Sequence, residues 1–162
     1  KTLFTVIGTG CGSAFGVDGF LAAKGTRGVP PHGYFYSAPF MDSCVDDYIS
    51  RRGLKKLTKD LLGTPLDGRA LAARVAAGDT QAASCFLQFG VLLRDALSPQ
   101  IEAFNPDMIC LGGQIMRSAP LFLSPLEALC NEKNIKLSVI QDTSMRTMQG
   151  LTCANSRYNV DR

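Results

Sequence analysis

Leu3-Phe4-Thr5-Val6-Ile7-Gly8-Thr9-Gly10-Cys11-Gly12-Ser13-Ala14-Phe15-Gly16-Val17-Asp18-Gly19-Phe20-Leu21 is the stretch on which the fold of this chain turns. Residues 2–7 read as a strand buried on both faces. They end in a glycine-rich turn, and the chain then enters a second strand, residues 12–17, without an intervening helix. Asp18-Gly19 is a type I′ hairpin signal because both positions tolerate positive φ, so Phe20-Leu21-Ala22 returns as a third strand. Three antiparallel strands therefore open the domain. A dinucleotide fingerprint needs strand, turn and helix in that order, and a P-loop needs Gly-Lys-Ser/Thr; neither is present. What remains is a β-hairpin phosphate loop. Glycine lets backbone amides approach phosphate oxygens with no Cβ in the way, and it reaches positive φ at little cost.

A second glycine turn, Leu111-Gly112-Gly113-Gln114, follows a second apolar run at residues 107–111. Two such turns, each on the end of a buried strand, point to one nucleotide cleft. The competing readings are a tight hairpin with no ligand for the first turn and an ordinary strand-to-helix turn for the second.

Composition sets the frame. A chain of 162 residues with 46% hydrophobic and 19% charged residues fits one soluble globular domain with a real core. The net charge of +3 is mild, and the cluster Arg51-Arg52, Lys55-Lys56 reads as a solvated helix face. No apolar stretch approaches the ~20 residues needed to cross a bilayer, and no signal peptide is visible, so the expected location is the cytoplasm. The six cysteines are irregularly spaced with no CxxC pair, which favours reduced thiols over a disulfide framework. The chain opens on a strand at Lys1-Thr2-Leu3-Phe4, so an N-terminal part is expected to precede it.

Downstream, residues 25–43 read as an irregular loop packed down by Tyr34, Phe35, Tyr36 and Phe40. Helix is expected over 44–52, capped by Asp42 or Ser43, and again over 54–62, stopped by Gly63. Asp67 caps a helix to Ala77, and Asp79 caps a long one whose apolar positions from Ala82 to Leu97 keep a 3.6-residue period. Pro99 is expected to kink it or force a restart. A helix from about 114, broken near Pro120 or Pro125, a strand at 135–140 and a final helix at 146–157 complete the order. This is α/β: a mixed sheet with flanking helices.

The residues resemble the C-terminal lobe of ROK proteins (repressors, uncharacterised frames and sugar kinases), within the actin-like ATPase superfamily of ribonuclease H-like fold. The likeness runs along nearly the whole chain. Val6-Ile7-Gly8-Thr9-Gly10-Cys11-Gly12 is similar to the family's GTGIGGG turn, Val17-Asp18-Gly19-Phe20-Leu21 to its DGKL hairpin, and Gly25 through His32 to GxxGEIGH. Cys44 through Ser50 resembles CLEAYIS, and Ala77-Gly78-Asp79 with Phe104-Asn105-Pro106-Asp107 resembles GD…FNPE. Ile109-Cys110-Leu111-Gly112-Gly113 is similar to IVIGG, and Gly150 to the glycine of a terminal LGAA helix.

The resemblance implies an actin-like ATPase lobe over residues 1–162, with the N-terminal lobe not included. It implies that Gly8, Thr9, Gly10 and Gly12 contact the β- and γ-phosphates of ATP, and that Gly112 and Gly113 lie under the adenosine with Gln114 beside it. Magnesium would accompany ATP in the full-length protein. His32 matches a histidine that contributes to sugar binding or to zinc. The sugar-binding glutamate falls on Val29, and two zinc cysteines fall on Ser37 and Pro39, leaving Cys44. Structural zinc needs four ligands, so no zinc is expected. The DxGGT loop and the catalytic aspartate of a GND motif lie upstream in the family, so no catalytic residue is assigned, and this segment alone is expected to be inactive.

Three functions remain open: the ATP-binding half of a hexose kinase, the sugar-sensing effector half of a ROK repressor, or a degenerate non-catalytic relative. A sugar substrate or effector and a homodimer are the expected partners. Membrane is excluded, and nucleic acid enters only through an upstream DNA-binding domain.

Overall fold

A computed structural model describes residues 1–140 together with Asp142 and Met145. The helix expected at 146–157, with Gly150, lies outside the described residues. The opening hairpins form as read: β1 (Thr2–Ile7), β2 (Cys11–Val17) and β3 (Phe20–Leu21), with Asp18 and Gly19 at φ 51° and 80° between the last two. β6 (Met108–Gly112) and β7 (Lys136–Val139) complete a five-stranded sheet of order β3-β2-β1-β6-β7. β1 is antiparallel to β2 and parallel to β6, so the sheet is mixed and β1 is its centre.

The register decides where a site can be. Val6 pairs with Gly12 on one side and with Gly112 on the other. Both glycine turns therefore leave the sheet at the same end, on either side of β1.

One expectation about β1 is corrected. Leu3, Thr5 and Ile7 are buried, but Phe4 and Val6 are 38% and 41% exposed. The strand alternates because successive side chains point to opposite faces, and the helices described here cover only one of them.

That covered face packs on α4 (Thr80–Phe104), the central helix. Its buried stripe includes Phe86, Phe89, Leu93 and Leu97, and Phe104 meets Phe15 of β2 edge-on at 5.0 Å. Each such side chain stabilises by roughly 1.5–3 kcal/mol relative to exposure. Asp79 starts α4 by accepting the N–H groups of Gln81 and Ala82, and Asp67 starts α3 (Gly68–Ala76) by accepting that of Ala70. Pro99 does not restart the helix. It sits on the exposed side of a continuous α4, where water can serve the carbonyl its missing N–H leaves.

The helix expected over 44–52 is two helices. α1 (Val45–Tyr48) stops short, Ser50 adopts extended backbone at φ −157°, and α2 (Arg51–Leu62) starts afresh with the Ser50 hydroxyl accepting the Gly53 N–H. Neither Asp42 nor Ser43 caps α1. Cys44 occupies the cap position with no side-chain capping bond, its thiol donating to Asp47 at 3.6 Å, while Ser43 donates to Asp47 and Asp42 accepts from Tyr48. The segment after Gly113 is a 3₁₀ helix, Gln114–Leu121, and α5 (Ser124–Glu132) begins separately with Pro125 in its first turn.

The 25–43 loop holds more order than expected. Phe35 is buried and packs against Phe15, whereas Tyr36 is exposed. β4 (Pro39–Phe40) and β5 (Ser43–Cys44) form a small ribbon in which Pro39 faces Cys44. Val29 is half-buried and packs against the core. The described cysteines Cys11, Cys44, Cys85, Cys110 and Cys130 are free thiols. Among the described residues no helix is long and apolar enough to cross a membrane.

Candidate functional site

The two glycine turns touch. Gly113 has φ 101°, and a Cβ there would lie 2.1 Å from the Ile7 carbonyl oxygen. The second turn thus packs directly on the last residue of β1, where the first turn begins.

Within the first turn, the Gly8 N–H donates to Gly10 O at 2.9 Å, and Gly8 O accepts the Arg51 N–H at 2.8 Å. The start of α2 is thereby tied to the turn. The Arg51 guanidinium also donates to Thr9 Oγ1 at 3.3 Å. On the other flank, the Cys11 N–H donates to Asp46 Oδ1 at 2.6 Å, and Arg52 holds Asp46 Oδ2 at 2.8 Å and Asp47 Oδ1 at 3.1 Å. The Ser43 hydroxyl, with Cys44 and Arg52, keeps the Asp47 carboxyl below its ordinary range. The N–H groups of Thr9 and Gly10 take part in none of these bonds.

Two hollows flank the turn. The larger, about 520 Å³, lies between Gly8, the starts of α2 and α3, and the 3₁₀ helix; Arg51, Asp67, Arg69, Gln114, Arg117 and Ser118 line it. The smaller, about 470 Å³, is lined by Gly8, Thr9, Gly10, Gly12, Tyr36 and Asp46. One side of the turn is rich in guanidinium groups. The other carries a single carboxylate and an aromatic ring.

The sequence-predicted residues divide accordingly. Gly8 faces both hollows, Gln114 the larger one, and Thr9, Gly10 and Gly12 the smaller. Gly112 and Gly113 line neither; Gly112 is a ladder partner of Val6, and Gly113 is glycine because of the Ile7 backbone. Gly10 is likewise constrained from within, since a Cβ there would lie 2.6 Å from Asp46 Oδ1. His32 is exposed and lines neither hollow. It stacks on Tyr34 at 5.7 Å, and Tyr34 stacks on Tyr36 at 4.7 Å, so an aromatic row runs from His32 to the smaller hollow.

Arg51, Arg69, Arg117, Ser118, Asp46 and Tyr36 were not singled out as site residues from the sequence. Arg51 read as part of a solvated helix face, and the structure corrects this by placing its guanidinium on Thr9 and in the larger hollow. Arg69 and Arg117 carried no signal, because they belong to segments that meet only in the folded chain.

The residues present suit a nucleoside triphosphate. The two uncommitted amides of Thr9 and Gly10, the Thr9 hydroxyl and guanidinium groups are anion donors, and Gly8 leaves the approach to them open. Cys11 is no nucleophile: burial, with Asp46 beside it, pushes its thiol up to about 12. Among the described residues no three His, Cys, Asp or Glu side chains gather to hold a metal ion.

The ROK family profile matches residues 1–149. An N-acetyl-D-glucosamine kinase from Pasteurella multocida (strain Pm70) is 34% identical over 71 residues, 44% of this chain and 23% of that enzyme. The crystal structure of a ROK family glucokinase from Streptomyces griseus in complex with glucose and AMPPNP superposes with a TM-score of 0.67 at 18% identity, over 86% of this chain and 55% of that one. A ROK family transcriptional regulator, a homologue of the E. coli Mlc protein, superposes with a TM-score of 0.66 at 19% identity, over 85% of this chain and 41% of that one. The chain therefore spans less than two thirds of each of these relatives. With its mixed sheet, its paired turns and a family match over nearly all its length, the chain belongs to the ROK family and has the actin-like ATPase fold.

Proposed function

We propose that this chain is the ATP-binding half of a ROK-type hexose kinase, completed by an N-terminal lobe that supplies the catalytic base and most of the sugar pocket. One observation carries this reading: the two glycine turns meet at the end of β1, and Gly8 of the first and Gln114 after the second border a cavity of about 520 Å³ lined with arginines. Phosphoryl transfer depends mostly on positioning and charge neutralisation, and these are what the turn and its cations offer. When bound, ATP supplies the phosphoryl group, and magnesium accompanies it. The chain's own part is to hold the phosphates on the Thr9 and Gly10 amides and the Thr9 hydroxyl, with Gln114 toward the nucleoside. His32 lies at the far end of the aromatic row and is proposed as a sugar contact.

A test is calorimetric titration of ATP with magnesium against the protein carrying its N-terminal lobe, as wild type and as Gly10→Val. Valine at this position must expel the Asp46 carboxylate from beside the turn and crowd the phosphates. The expected loss of affinity is at least about tenfold; unchanged affinity counts against the assignment.

A second reading has one observation in its favour. Val29 stands where the family's sugar-binding glutamate falls, and it packs on the core. A sugar-sensing half of a regulator, or a non-catalytic relative, would tolerate this better than a glucose kinase. A DxGGT loop and a GND motif upstream separate the kinase reading from both, an added helix-turn-helix marking the regulator and neither marking the non-catalytic relative.

A further inference from the structure

We propose that Arg51 reads the terminal phosphate of the nucleotide, making the cavity selective for a nucleoside triphosphate over the monophosphate and the free nucleoside. This rests on the nucleotide reading above and names the residue that sets its selectivity.

Arg52, Arg74 and Arg94 are each paired with a carboxylate, at 2.8, 2.5 and 2.7 Å. Arg51, Arg69 and Arg117 have no carboxylate partner among the described residues, yet all three face the same cavity. Asp67 is the only carboxylate in that lining, and its Oδ1 is already committed to the Ala70 N–H. Three guanidinium groups against the one Asp67 carboxylate leave the concave lining net positive, which draws an anion. Their forked donors match phosphate oxygens better than an ammonium would.

Position singles out Arg51. It alone of the three is bonded to the glycine turn, through its N–H to Gly8 O at 2.8 Å and its guanidinium to Thr9 Oγ1 at 3.3 Å. The long Thr9 contact is a weak tether that a phosphate oxygen would outcompete. Arg69 and Arg117 arrive from α3 and from the 3₁₀ helix beyond Gln114. The cation at the turn is therefore the one placed for the end of the phosphate chain.

The experiment is calorimetric titration of ATP, AMP and adenosine against the protein carrying its N-terminal lobe, as wild type, Arg51→Ala and Arg51→Lys, with thermal unfolding of each. The expected result is a loss of ATP affinity of about 10- to 100-fold in R51A, the range of a lost charge-assisted hydrogen bond. AMP should change far less and adenosine not at all. R51K, a point charge without the fork, should fall between. An ATP affinity untouched by R51A overturns the inference while leaving the nucleotide reading intact. An equal loss for ATP and adenosine also overturns it, because it marks a structural role. A wild-type protein carrying its N-terminal lobe that binds none of the three ligands removes the nucleotide reading, and this inference with it.

Discussion

The glycine turns that end β1 and β6 look alike in sequence and need glycine for opposite reasons. At Gly113 the need is internal: φ is 101°, and a Cβ would sit 2.1 Å from the Ile7 carbonyl oxygen. At Gly8 the fold makes no demand. Its φ is not positive, and no atom lies within 4 Å of where a Cβ would stand. Glycine there leaves backbone bare toward two hollows. On the nucleotide reading proposed above, glycine at this position keeps the approach of a phosphate open. The difference separates glycine that the fold requires from glycine that the fold leaves free.

The sharpest way to break this comparison is at Gly113. Gly113→Ala combines a disfavoured φ with a collision against backbone, which cannot swing aside. The expected destabilisation is about 3–5 kcal/mol in denaturant unfolding. A loss under about 1 kcal/mol would show that the junction of β1 and β6 can yield. Next in size comes Gly8→Ala. Its unfolding free energy should be unchanged, or raised by up to about 1 kcal/mol through the unfolded chain. Its affinity for ATP should fall about tenfold in calorimetry, equivalent to about 1.4 kcal/mol. Were G8A to lose stability and keep affinity, the two turns would have exchanged roles.

The parts of the fold that were legible are those set by local chemistry. Asp18-Gly19 adopts the positive φ pair its residues favour, and Asp67 and Asp79 cap the helices that follow them. The meeting of the two turns was legible too, because a parallel β1–β6 pair brings the ends of both apolar runs to one edge. What was not legible depends on distant partners. The break at Ser50 lay hidden because the residues on both sides have helical spacing, and a single serine is a weak marker. One-sided burial of β1 could not be read from five consecutive residues of strand character, since Phe4 and Val6 are as suited to a core as Leu3 and Ile7. Arg69 and Arg117 became site residues only when α3 and the 3₁₀ helix came to face the same hollow.

The smallest effect compares the cysteines that border the two turns. Cys11 follows the first turn and is pushed up to about 12 by burial, with the negative Asp46 adding to it. Cys110 precedes the second and is also raised by burial, but the positive Lys136 opposes the shift. A thiol whose folded value exceeds its ordinary 9.0 stays protonated in the native state while the unfolded chain ionises. Its contribution is therefore whole below pH 9.0 and is lost as pH rises from there toward about 12. At pH 9.5 the loss attributable to Cys11 is about 0.8 kcal/mol relative to neutral pH. Cys11→Ala should flatten the alkaline limb of the stability curve by that amount, whatever it costs at pH 7, and Cys110→Ala should flatten it less. Identical alkaline slopes for wild type and C11A would mean that the thiol reaches water in the native state. The Asp46–Cys11 junction beneath the first turn would then be open, and the carboxylate would no longer explain why Gly10 lacks a side chain.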